Sequence, residues 1–221
     1  MKVRKNKIRV KICCISSIEE ARLAIAKGAS AIGLVSDMPS GPGVIDEKLI
    51  EEIATVVSPG IATFLLTSKT DADSIINQQR KCKTNTIQIV DRVRHDVYGE
   101  LRKALPGIKI VQVVHVSGEE SIDEAKEISQ FVDAILLDSG NQKLKVKELG
   151  GTGRTHDWRI SKLICDSVKV PIFLAGGINP QNVKKAIQAV DPFGIDICNG
   201  VRIDGKLNEG LLSELFSEIN S

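Results

Sequence analysis

Residues 171–183 read Pro-Ile-Phe-Leu-Ala-Gly-Gly-Ile-Asn-Pro-Gln-Asn-Val. An apolar run of strand length meets a glycine pair, and an Asn-Pro step then opens a helix. Asn179 suits the N-cap and Pro180 the first helical position, where a missing N–H costs nothing. This is one strand–turn–helix unit. The strand carries apolar residues on both faces, as a buried parallel strand does.

The same unit recurs in both directions along the chain. Strands are expected at 8–14, 31–36, 61–67, 86–90, 108–114, 132–137, 171–175 and 194–198. Helices are expected at 18–27, 47–57, 72–81, 97–104, 121–130, 159–167, from Asn179-Pro180 onward, and at 209–219. Strict alternation implies a parallel sheet covered by helices. Eight units favour closure over an open sheet. The expected fold class is α/β, a single (β/α)8 TIM barrel, with 1–221 as one domain.

Composition agrees. The 221 residues are near the lower end for such a barrel. Apolar residues make up 42% and aromatics only 3%, so the core must be built from Ile, Val, Leu and Ala. Thirty basic and 28 acidic residues are interspersed, with a net charge of +2, which argues against nucleic acid as a partner. The basic start, Met1 to Lys7, reads as a solvated terminus. Arg9 and Lys11 interrupt any signal-like apolar run, and no stretch is long enough to span a membrane. The five cysteines form no CxxC pair, so neither a disulfide framework nor a zinc site is indicated. Reduced thiols in a cytoplasmic protein fit best. No metal or organic cofactor is expected, and the chain is expected to be a monomer or a homodimer.

In this architecture the chemistry sits at the C-terminal strand ends. Those ends carry Cys13-Cys14, Val90-Asp91, His115, Asp138, Gly176-Gly177 and Asn199-Gly200. Glycines after strands seven and eight let backbone N–H groups approach an anion. The phosphate of a small metabolite is the expected ligand, although the same glycines also suit tight turns. Gly150-Gly151-Thr152-Gly153 sits in the longest loop, as a lid or as a plain surface loop. Asp138 follows an apolar strand. Desolvation there would raise its pKa and make it a proton donor, or it could cap a turn. Cys13 and Cys14 are adjacent, so alternation allows only one to face the barrel centre, as base, nucleophile or apolar filler.

Several stretches resemble the phosphoribosylanthranilate isomerase family. They are Lys11-Ile12-Cys13, residues 28–35, Leu136-Leu137-Asp138, Gly150-Gly151-Thr152-Gly153 with Asp157-Trp158, residues 174–183, and Asp196 with Gly200-Val201. The resemblance implies an Amadori rearrangement of N-(5-phosphoribosyl)anthranilate. It implies Asp138 as general acid and Cys13 as general base. Phosphate would fall to Gly151, Gly153, Gly176, Gly177, Asn199 and Gly200, and the rest of the substrate to Lys11, Gln88 and Asp196, with His115 and Arg154 added as substrate-binding candidates by their positions.

The chain also departs from that pattern. Cys14 stands where the family usually has glycine. Residues 39–45 carry no arginine for the anthranilate carboxylate, and strand four lacks its histidine. Arg202 replaces a residue that is often acidic. A substitute cation is expected among Arg92, Arg94, His95, His115 and Arg154, with His115 favoured by its strand-end position.

Overall fold

A computed structural model describes residues 8–140 and 155–221. Eight parallel strands close into a barrel in chain order: β1 (Arg9–Ile12), β2 (Ala31–Val35), β3 (Ala62–Thr67), β4 (Thr86–Ile89), β5 (Lys109–His115), β6 (Ala134–Asp138), β7 (Ile172–Leu174) and β8 (Gly194–Ile197). The seam is β1 against β8, with Ile12 level with Ile197. The helices are α1 (Ile18–Lys27), α2 (Glu47–Val56), α3 (Ala72–Cys82), α4 (His95–Ala104), α5 (Glu120–Ile128), α6 (Trp158–Ser167), α7 (Val183–Val190) and α8 (Glu209–Asn220). After β8 come a 3₁₀ turn, Asn199–Val201, and a small hairpin of β9 (Arg202–Ile203) and β10 (Lys206–Leu207). Among the described residues no helix is long and apolar enough to cross a membrane.

Local chemistry explains where the helices begin. Ser17, Asp46, Asp71, Asp157 and Asn208 each accept a backbone N–H in the first turn of their helices. Gly28 then ends α1 at φ 114°, a conformation that glycine adopts without strain. The seventh helix starts later than Asn179-Pro180 implies, at Val183 with Asn182 as N-cap. Asn179 Oδ1 still accepts the N–H groups of Gln181 and Asn182, so its capping chemistry serves a preceding turn.

The core has two compartments, set by strand alternation. Outward-facing Ile12, Ile32, Leu65, Ile87, Ile135 and Leu174 pack against the helices. Inward-facing Val35, Phe64, Leu66, Val111, Leu136 and Phe173 fill the barrel. Phe64 and Phe173 meet edge to face at 5.9 Å inside it. β1 stops at Ile12, two residues before the expected end, and Cys14 takes a left-handed φ of 61°. That early stop decides the shape of the site.

Candidate active site

A cavity of about 290 Å³ opens at the C-terminal ends of the strands. Cys13, Gln88, Asp138, Gly176, Gly177, Asp196, Asn199 and Gly200 all line it. Residues from five strands and the turns that follow them therefore converge, as barrel geometry requires. Gly151, Gly153 and Arg154 lie outside the described residues.

Asp138 ends β6 and is buried. Burial pushes its carboxyl up to about 6, helped by the nearby charge of Asp196, while the Ser139 N–H, 2.7 Å from Oδ1, holds it back. A carboxylic acid of that strength can donate a proton near neutral pH.

Cys13 lies across the barrel from Asp138, since β1 and β6 are three strands apart around the seam. Its thiol is lowered, chiefly because Cys14 donates a hydrogen bond to it; burial opposes this and the Lys11 ammonium assists. Cys14 is pushed well up by its hydrogen bonds with Cys13 and Cys198, so it keeps its proton. Gly33 on β2 makes room for the Cys13 sulfur. A Cβ there would lie 2.7 Å from Cys13 Sγ and 3.0 Å from Lys11 Nζ.

Lys11 is itself fully buried and does not line the cavity. Its Nζ donates to Asp196 Oδ1 at 2.9 Å and sits 5.2 Å from the centre of the Phe64 ring. Desolvation would lower the ammonium, but Asp196 and Cys13 outweigh it and the pKa is raised. Lys11 thus stands beneath the site as a fixed positive charge rather than as a surface ligand.

The glycine end is sterically explicit. Gly176 and Gly177 have φ of 81° and 64°. A Cβ on Gly176 would press on His156 Nδ1 and Ser139 Oγ, both at 3.1 Å. A Cβ on Gly200 would collide with the Ile178 carbonyl oxygen and lie 2.9 Å from Asn179 Cα. The β7 and β8 turns therefore touch, and only glycine lets them do so.

Two expectations need correction. Both Cys13 and Cys14 line the cavity, although alternation allowed only one. Alternation lapses where β1 stops, and the left-handed backbone at Cys14 turns its side chain inward. The expected substitute cation is also not found at His115. That ring is buried, its Nε2 donates to the Val90 carbonyl at 3.1 Å, and it does not line the cavity. Burial lowers its pKa and favours the neutral ring. Arg92 forks onto Glu124, Arg94 pairs with Asp96, and His95 lies 3.6 Å from Glu127 and stacks on Phe131. None of these three lines the cavity either.

Other lining residues were not singled out as site residues in advance, among them Met38, Pro42, Leu66 and Cys198. Counting by two from Asp196 along β8 points to Cys198. Nothing in the letters marks Met38 or Pro42, which reach the site from the β2–α2 loop. Gln88 Oε1 is buried without a hydrogen-bond partner, an arrangement that leaves it free for a ligand hydroxyl.

A closed eightfold barrel with two carboxylates, three thiols and paired glycine turns around one cavity at its C-terminal strand ends points to a class, the (β/α)8-barrel enzymes. Residues 10–218 match the family model described as N-(5'phosphoribosyl)anthranilate (PRA) isomerase. The chain is 36% identical over 196 residues to an N-(5'-phosphoribosyl)anthranilate isomerase 2 of Methanosarcina mazei, covering 88% of this chain and 86% of the relative. It superposes on the N-(5'-phosphoribosyl)anthranilate isomerase of Pyrococcus furiosus with a TM-score of 0.81 at 27% identity, covering 96% and 98% of the two chains. A phosphoribosyl anthranilate isomerase in complex with reduced 1-(o-carboxyphenylamino)-1-deoxyribulose 5-phosphate gives a TM-score of 0.77 at 25% identity, with the same coverage. The chain belongs to the N-(5'-phosphoribosyl)anthranilate isomerase family.

Proposed function

We propose that the protein isomerises N-(5-phosphoribosyl)anthranilate to its 1-deoxyribulose 5-phosphate product, a step of tryptophan biosynthesis. The observation that carries this reading is the pairing of a raised acid, Asp138, with a lowered thiol, Cys13, on one cavity. Asp138 donates its proton to the ribose ring oxygen as the bond from that oxygen to the anomeric carbon breaks. The amine nitrogen supplies the electron pair and becomes a protonated imine. The Cys13 thiolate then removes the proton from the adjacent sugar carbon, and the electrons move to the imine nitrogen. The resulting enol tautomerises to the ketone. Burial favours the proton on Asp138, while Cys14 and Lys11 favour its loss from Cys13. Lys11 and the Cys14 thiol hold the thiolate charge, and Gln88 suits a sugar hydroxyl.

Phosphate is assigned to the backbone N–H groups of Gly176, Gly177 and Gly200, with Asn199 beside them. Gly151 and Gly153 join this assignment as proposals from the resemblance. Complementation of a tryptophan auxotroph that lacks this isomerase tests the activity. Growth supports it, and failure with soluble, folded protein refutes it.

One observation favours a second reading. Among the described residues, the ionisable groups lining the cavity are two carboxylates and three thiols, and no lining residue is a cation. A phosphorylated aminosugar without a carboxylate on its aglycone would meet no unpaired charge there. Turnover of such a substrate, with none of the anthranilate compound, would select this reading.

A further inference from the structure

Arg202 is the most heavily engaged side chain next to the site that the chemistry above does not use. It opens the hairpin after β8, yet its side chain is only 5% exposed. Nη2 donates to the Cys14 carbonyl at 2.6 Å and to the Cys13 carbonyl at 3.2 Å. Nη1 donates to Glu20 Oε1 at 2.9 Å and to the Gly205 carbonyl at 3.0 Å. Glu20, on α1, also accepts the N–H groups of Ser16 at 3.0 Å and of Leu207 at 2.8 Å. One ion pair therefore ties together three segments that lie far apart in sequence: the end of β1, the first turn of α1 and the β9–β10 hairpin.

We propose that Arg202, anchored by Glu20, is a positioning residue for the base Cys13. This rests on the isomerase reading given above. β1 has ended before Cys13, and the turn is held to the sheet by two backbone bonds, from the Cys13 N–H to the Ile197 carbonyl and from the Ile15 N–H to the Gly33 carbonyl, with none from Cys14 between them. Cys14 holds a left-handed φ of 61°, a strained conformation for a non-glycine residue. A guanidinium fork on two successive carbonyls fixes that turn in place. Its planar geometry suits two acceptors at once, which a flexible ammonium does less well. Fixing the turn fixes Cys13 Sγ against Lys11 on its own strand, Asp196 on β8 and Cys14 beside it, the charged and titratable groups that surround it. Arg202 does not line the cavity, so it acts through the turn rather than on the substrate.

The test uses the full chain in three forms: Arg202→Met, Arg202→Lys and the double variant Glu20→Gln with Arg202→Met. The double variant leaves no buried charge unpaired, so it remains informative if Arg202→Met alone fails to fold. Two quantities are read: kcat and KM with the anthranilate substrate, and the pH midpoint of Cys13 alkylation by iodoacetamide, resolved by peptide mass spectrometry. Small misplacements of a reacting group can cost about a hundredfold, so kcat should fall roughly tenfold or more in the Met variants while KM stays within about threefold. The alkylation midpoint should rise as Cys13 loosens from Lys11, and Arg202→Lys should recover part of both effects. Unchanged kcat and an unchanged midpoint in a folded variant would overturn the proposal, even if its melting temperature fell. If the wild-type chain does not turn over the anthranilate compound, the isomerase reading fails, and the alkylation midpoint alone still decides the role of Arg202.

Discussion

Replacing Asp138 by Asn should remove activity and, above neutral pH, make the protein more stable. The carboxyl is buried and sits at about 6, against 3.8 for an ordinary aspartate. Folding therefore holds the proton more tightly than the unfolded chain does. Stability is fully present below pH 3.8 and is lost as pH rises through about 6, because the native state must then carry a desolvated carboxylate. A shift of about 2 units corresponds to roughly 3 kcal/mol at most, at about 1.4 kcal/mol per unit. Asn avoids that loss and can still accept the Ser139 N–H. At pH 8.5 the variant should gain up to about 3 kcal/mol in urea unfolding, which is roughly 6–12 °C in Tm for a chain of this size. At pH 4 the gain should vanish. Turnover should drop by a factor of about 100 or more, the scale of a general acid. Near-normal turnover, or a stability difference that ignores pH between 4 and 8.5, would refute the assignment.

Other predictions follow from the same geometry. Gly33→Ala places a methyl group 2.7 Å from Cys13 Sγ; overpacking should cost about 1–3 kcal/mol, and kcat should fall with little change in KM. Gly200→Ala pushes on the Ile178 carbonyl, so KM should rise and inorganic phosphate should lose its thermal protection. In the parent protein, phosphate at a hundred times its Kd should add about 2.7 kcal/mol by mass action, read as a rise in Tm. Lys11→Met strands the Asp196 carboxylate and should destabilise by about 3–5 kcal/mol, with the alkylation midpoint of Cys13 moving up.

The barrel was legible because burial imposes periodicity. Parallel strands covered on both faces read as apolar runs, and eight glycine- or polar-ended runs left little choice of topology. Strand ends marked Cys13 and Asp138, and the family resemblance added Gln88 and Asp196; all four line one cavity despite their separation. What failed was orientation beyond the last paired residue. Cys14 turns inward because β1 ends at Ile12, and no alternation rule reaches past that point. His115 stands at the end of β5, but the carbonyl of Val90 captures its N–H. Arg92, Arg94 and His95 follow β4, yet neighbouring carboxylates on α4 and α5 claim them. Arg202 and Glu20 are 182 positions apart, and nothing local to either announces the pair. Cys14 and Arg202, two departures from the family pattern in separate parts of the chain, meet directly at 2.6 Å.

The central claim is that Asp138 and Cys13 rearrange an anthranilate-bearing phosphosugar within this barrel. The most direct measurement is the decay of anthranilate-conjugate fluorescence on adding purified protein to freshly formed N-(5-phosphoribosyl)anthranilate. The signal should decay rapidly with the parent chain, and that decay should be lost in both Asp138→Asn and Cys13→Ser. A folded parent protein that leaves the signal at its uncatalysed rate, or a Cys13→Ser variant that retains full activity, would contradict it.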